Sequence, residues 1–467
     1  MIKLRGRESA SRRRARIDPA RLRKALRVLA AAFVAVVLQQ APGASVRAQA
    51  RRGDPAARSR AAGDAAAASL VRAVELLQEG KPDEAEPIVR RALSAEPRSA
   101  DARALLGVIL DQRGLNREAE AEYRAAIALR PKSVPARANL GALLAREGRY
   151  AEAVEMLNAV LVDAPGHPQT TFNLGVALFN LKRYEAASML FESPAAQAQD
   201  APECYYYLGL IASAQGRAED AAELWQRALA LRENFPEVNF ALAEELRRQR
   251  RYEGAAEFYG RALEENPSKI VYHVRLGGVL MLLSRYDQAL EVFRGAAERF
   301  PKSAEVQYFV GIAARGRGDY ETAEAALRKA LALKADDVDA LAQLGFVVGE
   351  RGRDAEAEQI LRRALALDAK HFYANYDLGR LLVRARRYDE AIKILQGASR
   401  IREGEAGVHY QLFIAYSRLK RAEDAGRELA LFRKLGEERK SHRAEGEEKI
   451  EDALPTPAGD AATEKPL

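Results

Sequence analysis

Residues 338–371 read VDALAQLGFVVGERGRDAEAEQILRRALALDAKH, and residues 372–405 read FYANYDLGRLLVRARRYDEAIKILQGASRIREGE. Set one above the other, they align Leu344-Gly345 with Leu378-Gly379, Ala357 with Ala391 and Ala364 with Ala398. Working outward at the same spacing of 34 recovers Leu106-Gly107, Leu140-Gly141, Leu174-Gly175, Leu208-Gly209 and Leu276-Gly277, with Leu242-Ala243, Val310-Gly311 and Leu412-Phe413 in the remaining slots. An alanine stands twelve residues after each small residue, from Ala85 through Ala119, Ala153, Ala187, Ala221, Ala255, Ala289, Ala323, Ala357 and Ala391 to Ala425. Eleven alanines in register without an insertion define eleven units, 66–99, 100–133 and onward to 406–439. A fixed period of this length marks a repeat architecture.

Each unit reads as helix A, a short turn, helix B and a second turn. The first turn carries Gly80, Gly114, Gly148, Gly216, Gly318 and Gly352, often followed by tyrosine, as at Tyr150, Tyr252 and Tyr388. The second carries Pro97, Pro131, Pro165, Pro267 and Pro301, which end helix B because proline cannot continue it. Helices of about a dozen residues are marginal alone, so each pair must bury its apolar stripe on its neighbours. Gly at the eighth position and Ala at the twentieth let helices A and B cross closely, while Tyr123, Phe191, Trp225, Tyr259 and Phe293 fill the larger holes. Two units depart from the pattern. In the first, Arg72 occupies the leucine slot and Pro87 interrupts helix B. In the fourth, Pro194 replaces an alanine and Ala195–Asp200 follows, so helix B should end near Ser193 in an irregular connection or a hinge.

The Leu-Gly, Ala, aromatic, Ala, Pro order at this spacing resembles the tetratricopeptide repeat over residues 66–439. The resemblance implies an all-α fold, a right-handed α-solenoid superhelix of helix-turn-helix repeats. It further implies that helix A lines a concave groove, with positions two, five, nine, twelve and thirteen facing inward. Position five then offers Phe172, Tyr206, Phe240, Tyr308, Tyr376 and Tyr410, position six Asn139 and Asn173, and position thirteen Arg146 and Arg384. An aromatic stripe with mixed charge suits an extended peptide or a partner's helix. The competing reading of each aromatic is packing between helices. The lysine and second asparagine of the family's carboxylate-clamp pattern are missing.

The chain has a net charge of +8, but residues 1–60 hold sixteen Lys and Arg against Glu8, Asp18 and Asp54, which leaves −5 on the remainder. A nucleic-acid binder places its positive charge on the folded body, so that class is excluded. The basic stretch runs into the apolar Val28–Leu38, then Pro42-Gly43 and Ala48-Gln49-Ala50. This is the order of a secretory signal peptide, and eleven apolar residues are short for a membrane span. Residues 1–50 are therefore expected to be a leader that exports the chain to the periplasm or outside, or, uncleaved, an inner-membrane anchor. Residues 51–65 are expected as a linker and 440–467 as a disordered polar tail. Cys204, the single cysteine, is expected as a buried small hydrophobe.

Catalysis requires converging groups, and the sequence suggests none: HExxH, GxSxG and GxxxxGK[ST] do not occur. His167, His273, His371 and His409 fall at unit boundaries or the fourth helix position, where capping and packing explain them; Asp336, Asp337 and Asp339 read as a solvated helix start. No metal or cofactor is expected. The reading is a non-enzymatic scaffold that binds protein or peptide partners, with an accessory subunit of a polysaccharide or protein export or synthesis machine as the alternative.

Overall fold

The computed structural model describes residues 55–444; the expected leader or anchor lies outside the described residues, as does the tail from residue 445. Among the described residues every regular element is a helix. The chain divides into two compact units at Gly216 and Arg217, in the turn between the two helices of the fifth repeat.

The first unit contains α1 (Pro55–Gln78), α2 (Pro82–Ala95), α3 (Ala100–Gln112), α4 (Asn116–Leu129), α5 (Val134–Arg146), α6 (Tyr150–Asp163), α7 (Pro168–Asn180), α8 (Tyr184–Phe191) and α9 (Pro194–Ala214). The second contains α10 (Ala218–Leu231), α11 (Pro236–Arg248), α12 (Tyr252–Glu265), α13 (Ile270–Leu282), α14 (Tyr286–Arg299), α15 (Ala304–Arg317), α16 (Tyr320–Leu333), α17 (Val338–Glu350), α18 (Asp354–Leu367), α19 (Phe372–Arg384), α20 (Tyr388–Ile401), α21 (Ala406–Arg418) and α22 (Ala422–Ala444). In both units each helix packs against the next, and A helices also touch A helices of the following repeat: α1 with α3, α3 with α5, α17 with α19 and α19 with α21. Each unit is thus an α-solenoid with its A helices side by side on one face.

The repeat register accounts for the packing. Ten of the eleven register alanines are wholly buried, and Ala425 is 7% exposed. A Cβ built on Gly107, Gly141, Gly175, Gly277, Gly311, Gly345 or Gly379 would stand 2.3–2.7 Å from the side chain sixteen residues on, which is Tyr123, Leu157, Phe191, Phe293, Leu327, Leu361 or Leu395. Those side chains are themselves fully buried. Glycine at position eight is therefore the hole into which the helix B knob fits, as native packing density demands.

The turn between helices A and B closes through one residue at positive φ. Glycine supplies it at Gly80, Gly114, Gly148, Gly216, Gly318 and Gly352, and a side-chain-bearing residue does so at Lys182, Arg250, Ser284, Arg386 and Lys420, with φ of 58–62°. Left-handed backbone is uncommon for such residues, so helix packing on either side dictates the turn where local preference does not.

Four segments differ from the sequence expectation. Residues 55–65, expected as linker, belong to α1; their alanine content makes helix the favoured local state. Pro87 does not interrupt α2, which runs through it to Ala95. Helix α8 ends at Phe191, close to the expected Ser193, but Ala195–Asp200 is helical and not an irregular connection. Ser193 caps α9 by accepting from the Ala196 N–H at 3.4 Å, and Pro194 opens that helix. Proline at a first helical position lacks only an N–H that has no helical partner anyway, so the residue that stops α8 starts α9. Helix α22 also continues to Ala444, into the segment expected as tail.

A ladder of ion pairs joins successive repeats along their B helices. Arg149 pairs with Glu120 at 2.7 Å, and Arg387 with Glu358 at 2.7 Å; Arg353 meets Glu324 in the same register. Glu324 is buried among Arg328, Arg351 and Arg353, and hydrogen bonds from Arg353 lead in holding its carboxyl down at about 2.

Candidate functional site

In the first unit, three consecutive A helices enclose a cavity of about 50 Å³. Helix α1 contributes Val74 and Leu77, α3 contributes Leu105, Val108, Asp111 and Gln112, and α5 contributes Asn139, Ala142 and Arg146, with Tyr123 of α4 at its base. Asn139 and Arg146, two of the residues expected in the groove, thus come together here. Arg146 reaches back one repeat to Asp111 at 2.5 Å, so its charge is neutralised within the chain. Burial pushes the Tyr123 hydroxyl well above its ordinary range, and the Asp111 carboxylate adds to the effect. The Gln112 amide leaves Nε2 buried with no hydrogen-bond partner among the described residues. A buried amide nitrogen without an acceptor costs about 1–3 kcal/mol.

The position-five aromatics do not form one uniform exposed stripe. Phe172 and Tyr308 are 8% and 9% exposed, so both belong to the packing between helices and offer no open face to a partner. Phe172 lies edge-on to Phe191 at 5.8 Å and to Tyr207 at 5.9 Å, and Tyr308 lies edge-on to Phe309 at 5.6 Å. Tyr206 and Phe240 are half-buried; Tyr206 touches Tyr207 at 5.3 Å, and Phe240 sits against Tyr259 at 5.5 Å and Tyr272 at 5.1 Å. Tyr376 is half-buried and stacked on Phe372. Tyr410 is 42% exposed beside Phe432. The expected residues therefore divide into packed and accessible members, because consecutive A helices contact one another and cover part of each aromatic face. Asn173 is half-buried and accepts from the Gln169 amide at 3.3 Å.

The second unit holds two further polar groupings on its A helices. Arg384 donates to the Gly349 carbonyl at 3.0 Å and to Asp354 at 2.6 Å, so it too is used within the chain. Nearby, Arg315 of α15 and Arg380 of α19 each lie 5.0 Å from the centre of the Phe346 ring. Arg380 also pairs with Glu350 at 2.8 Å and stands 3.8 Å from Asp377. Asp377 is buried, and burial raises its carboxyl to about 6. In the other grouping, Glu244 receives the Tyr259 hydroxyl at 2.5 Å and Arg247 at 3.0 Å, with Arg275 of the next A helix 3.0 Å away.

The histidines cap and pack. His167 and His371 accept the Thr170 and Ala374 N–H groups at the starts of α7 and α19. His273 and His409 are buried, and His409 lies 2.6 Å from Glu428. Asp337 caps α17, and Asp336 and Asp339 meet Arg363 and His371. Cys204 is buried. Among the described residues, no three His, Cys, Asp or Glu side chains gather as a metal site would require, and no helix is long and apolar enough to cross a membrane.

Sequence reasoning missed Gln112 and Asp111 in the cavity, where it read Tyr123 only as a packing knob, and Arg315, Arg380 and Asp377 in the second unit. Their signal was the shared register: Leu105 and Asn139, Val108 and Ala142, and Gln112 and Arg146 occupy positions six, nine and thirteen of adjacent repeats.

Comparison with known proteins follows the same lines. Models described as tetratricopeptide repeat match residues 70–134, 116–169, 144–210 and 202–235. One described as the C-terminal domain of cilia and flagella-associated protein 70 matches residues 233–449. No curated protein matches. Among solved structures, MamA from Desulfovibrio magneticus RS-1 is similar at 22% identity over 36% of this chain and 96% of its own, with a TM-score of 0.34. Yeast Tom70 is similar at 14% identity over 78% of this chain and 97% of its own, with a TM-score of 0.34. The anaphase-promoting-complex hetero-tetramer Cut9–Hcn1 is similar at 13% identity over 85% of this chain and 98% of that one, with a TM-score of 0.42. From its repeat register, its paired helices and the matched family models, the chain belongs to the tetratricopeptide-repeat proteins.

Proposed function

We propose that this chain is a non-enzymatic scaffold that holds a protein or peptide partner on the face formed by its A helices. The observation that carries the reading is the side-by-side contact of successive A helices in each unit, which makes one continuous face from elements far apart in sequence. Solenoid faces of this kind are extended binding surfaces. Half-buried Tyr376 and exposed Tyr410 offer contact area on it, and Asn139 offers an amide. Export to the cell envelope is part of the proposal and rests on the order of residues 1–50: a basic stretch, the apolar Val28–Leu38 and small residues at Ala48-Gln49-Ala50.

Two measurements test this. Affinity capture from envelope extract, with the chain beginning at Arg51 as bait, should retain a defined partner that an Asn139→Ala, Tyr410→Ala variant of unchanged circular dichroism loses. Identical capture by both chains would overturn the assignment of this face. Intact mass of the chain recovered from the envelope should start at Arg51, whereas recovery of residues 1–50 in the membrane fraction would establish the anchor.

A further inference from the structure

Positions four and thirty of one repeat meet in the third and the sixth repeats, with different chemistry. In the third, Arg137 donates to Asp163 at 2.5 Å and to the Ala159 carbonyl at 3.1 Å, so the carboxylate faces a cation. In the sixth, the same two slots hold Asn239 in the first turn of α11 and Glu265 at the end of α12. Asn239 is 2% exposed, and its Nδ2 donates to Glu265 Oε1 at 3.0 Å. The other oxygen of each side chain, Asn239 Oδ1 and Glu265 Oε2, is buried with no hydrogen-bond partner among the described residues. A proton on the carboxyl supplies the missing donor, since a carboxylic acid can donate as well as accept and an amide can do the same.

The surroundings do not replace the arginine. On α12, Arg261 is paired with Glu257 at 2.6 Å. Burial raises the Glu265 carboxyl above its ordinary range, Glu237 of α11 and Glu264 add to the effect, and the Asn239 bond and Arg261 oppose it. On α13, His273 has Nε2 3.1 Å from the Pro267 carbonyl, and burial lowers its ring below the usual histidine range, which favours the neutral form. Ahead of α11, Arg232 lies over the Phe235 ring at 3.5 Å.

We propose that Glu265 is a proton-operated latch: as a neutral acid it donates from Oε2 to Asn239 Oδ1 and ties the start of α11 to the end of α12, and its ionisation releases the tie. Ionisation breaks only the O–H bond and passes the proton to solvent, leaving both oxygens as buried acceptors without a donor. A carboxyl raised in the folded state contributes fully below the ordinary glutamate value of about 4.3, and the contribution is lost as pH rises through the raised value. The Arg137 hydrogen bond holds Asp163 below its ordinary range, so the third repeat responds with the opposite sign. The sixth repeat therefore loosens toward alkaline pH.

The test is native-state hydrogen exchange of the full chain, read over 236–269 at pH 5 and pH 8 and corrected for the intrinsic exchange rate. Opening of this repeat in the parent should rise about threefold or more between the two. Glu265→Gln offers Asn239 a donor at every pH and should abolish the rise. Asn239→Arg restores the pair of the third repeat and should abolish or reverse it. A purely structural role would shift exchange in each variant equally at both pH values. Opening in the parent that is independent of pH, or a rise that persists unchanged in Glu265→Gln, overturns the latch. Should Asn239→Arg fail to fold, parent and Glu265→Gln decide the matter between them.

Discussion

Replacing Gly277 by alanine should destabilise the second unit although alanine is the better helix former. Within a helix the exchange is worth about 1 kcal/mol in favour of alanine. At Gly277, however, the added Cβ would stand 2.3 Å from Phe293 Cζ and 2.6–2.7 Å from both Cε atoms. Phe293 cannot withdraw, because it is fully buried and stacked on Phe309 at 5.2 Å and 12°. Overpacking of this kind costs about 1–3 kcal/mol, and the close range of the contact places it in the upper half. The net loss expected is about 1–2 kcal/mol. Gly295 supplies the control, since it lies in α14 with nothing within 4 Å of its built Cβ. Gly295→Ala should therefore gain about 0.5–1 kcal/mol. In a Phe293→Ala background the hole opens, and Gly277→Ala should turn stabilising, a sign reversal that a double-mutant cycle reads directly. Urea unfolding followed by circular dichroism gives the energies, and hydrogen exchange over 270–299 places the effect. Gly277→Ala unfolding at or above the parent's midpoint would refute the position-eight crossing, and with it the register of the array.

Two carboxyl groups should give opposite pH signatures. Asp377, raised to about 6 by burial, favours the folded state below about pH 4 and loses that contribution as pH rises through 6. Asp377→Asn should accordingly unfold about 2 kcal/mol harder than the parent at pH 7.5, with the gap closing by pH 4; a gap independent of pH in thermal unfolding would refute this. Glu324, held at about 2 by Arg353, Arg351 and Arg328, stabilises above pH 4.5 and stops doing so as pH falls through 2. Its three partners are partly exposed, so screening reduces the benefit, and Glu324→Gln should cost about 1–2 kcal/mol at pH 7. Equal stability of Glu324→Gln and parent at pH 7 in urea unfolding would show that the ladder contributes nothing there.

Much of the fold was legible because its smallest residues are its most constrained. An alanine at Ala255 or a glycine at Gly277 records a crossing distance, and only a repeated distance explains its return every 34 residues. What escaped notice depends on stacking. The Glu120–Arg149 and Glu358–Arg387 pairs span 29 residues, a separation that has no meaning until each repeat lies on the next. Ser284 and Arg386 adopt left-handed turns that their own chemistry does not favour, because the flanking helices have already fixed the path. Pro194 was visible as a stop for one helix, but its second role as the start of α9 depends on Ser193 being free to cap it.

The candidate site was legible in part for the same reason. The helical period places Phe172, Tyr308 and Tyr410 at equivalent positions, yet the neighbouring A helix buries the first two and leaves the last exposed. Position alone cannot separate them; what covers each one does, and Tyr410 stands on α21, which no A helix follows among the described residues. The cavity depends in the same way on what lines it. Where Val108 and Ala142 stand at position nine of adjacent repeats, the A helices carry too little bulk to fill the space beside Gln112 and Tyr123. At the equivalent place in the second unit Phe346 and Arg380 stand at position nine, and the arginine covers the ring. A solenoid built from one repeated crossing can thus open a recess of about 50 Å³ at one pair of repeats and narrow it to about 10 Å³ at another by changing only the lining residues, while the glycines and alanines that set the crossing stay fixed. Under the proposed function, recognition falls to positions that vary over a packing that does not, and this is why the register read from the sequence locates the face before it identifies the ligand.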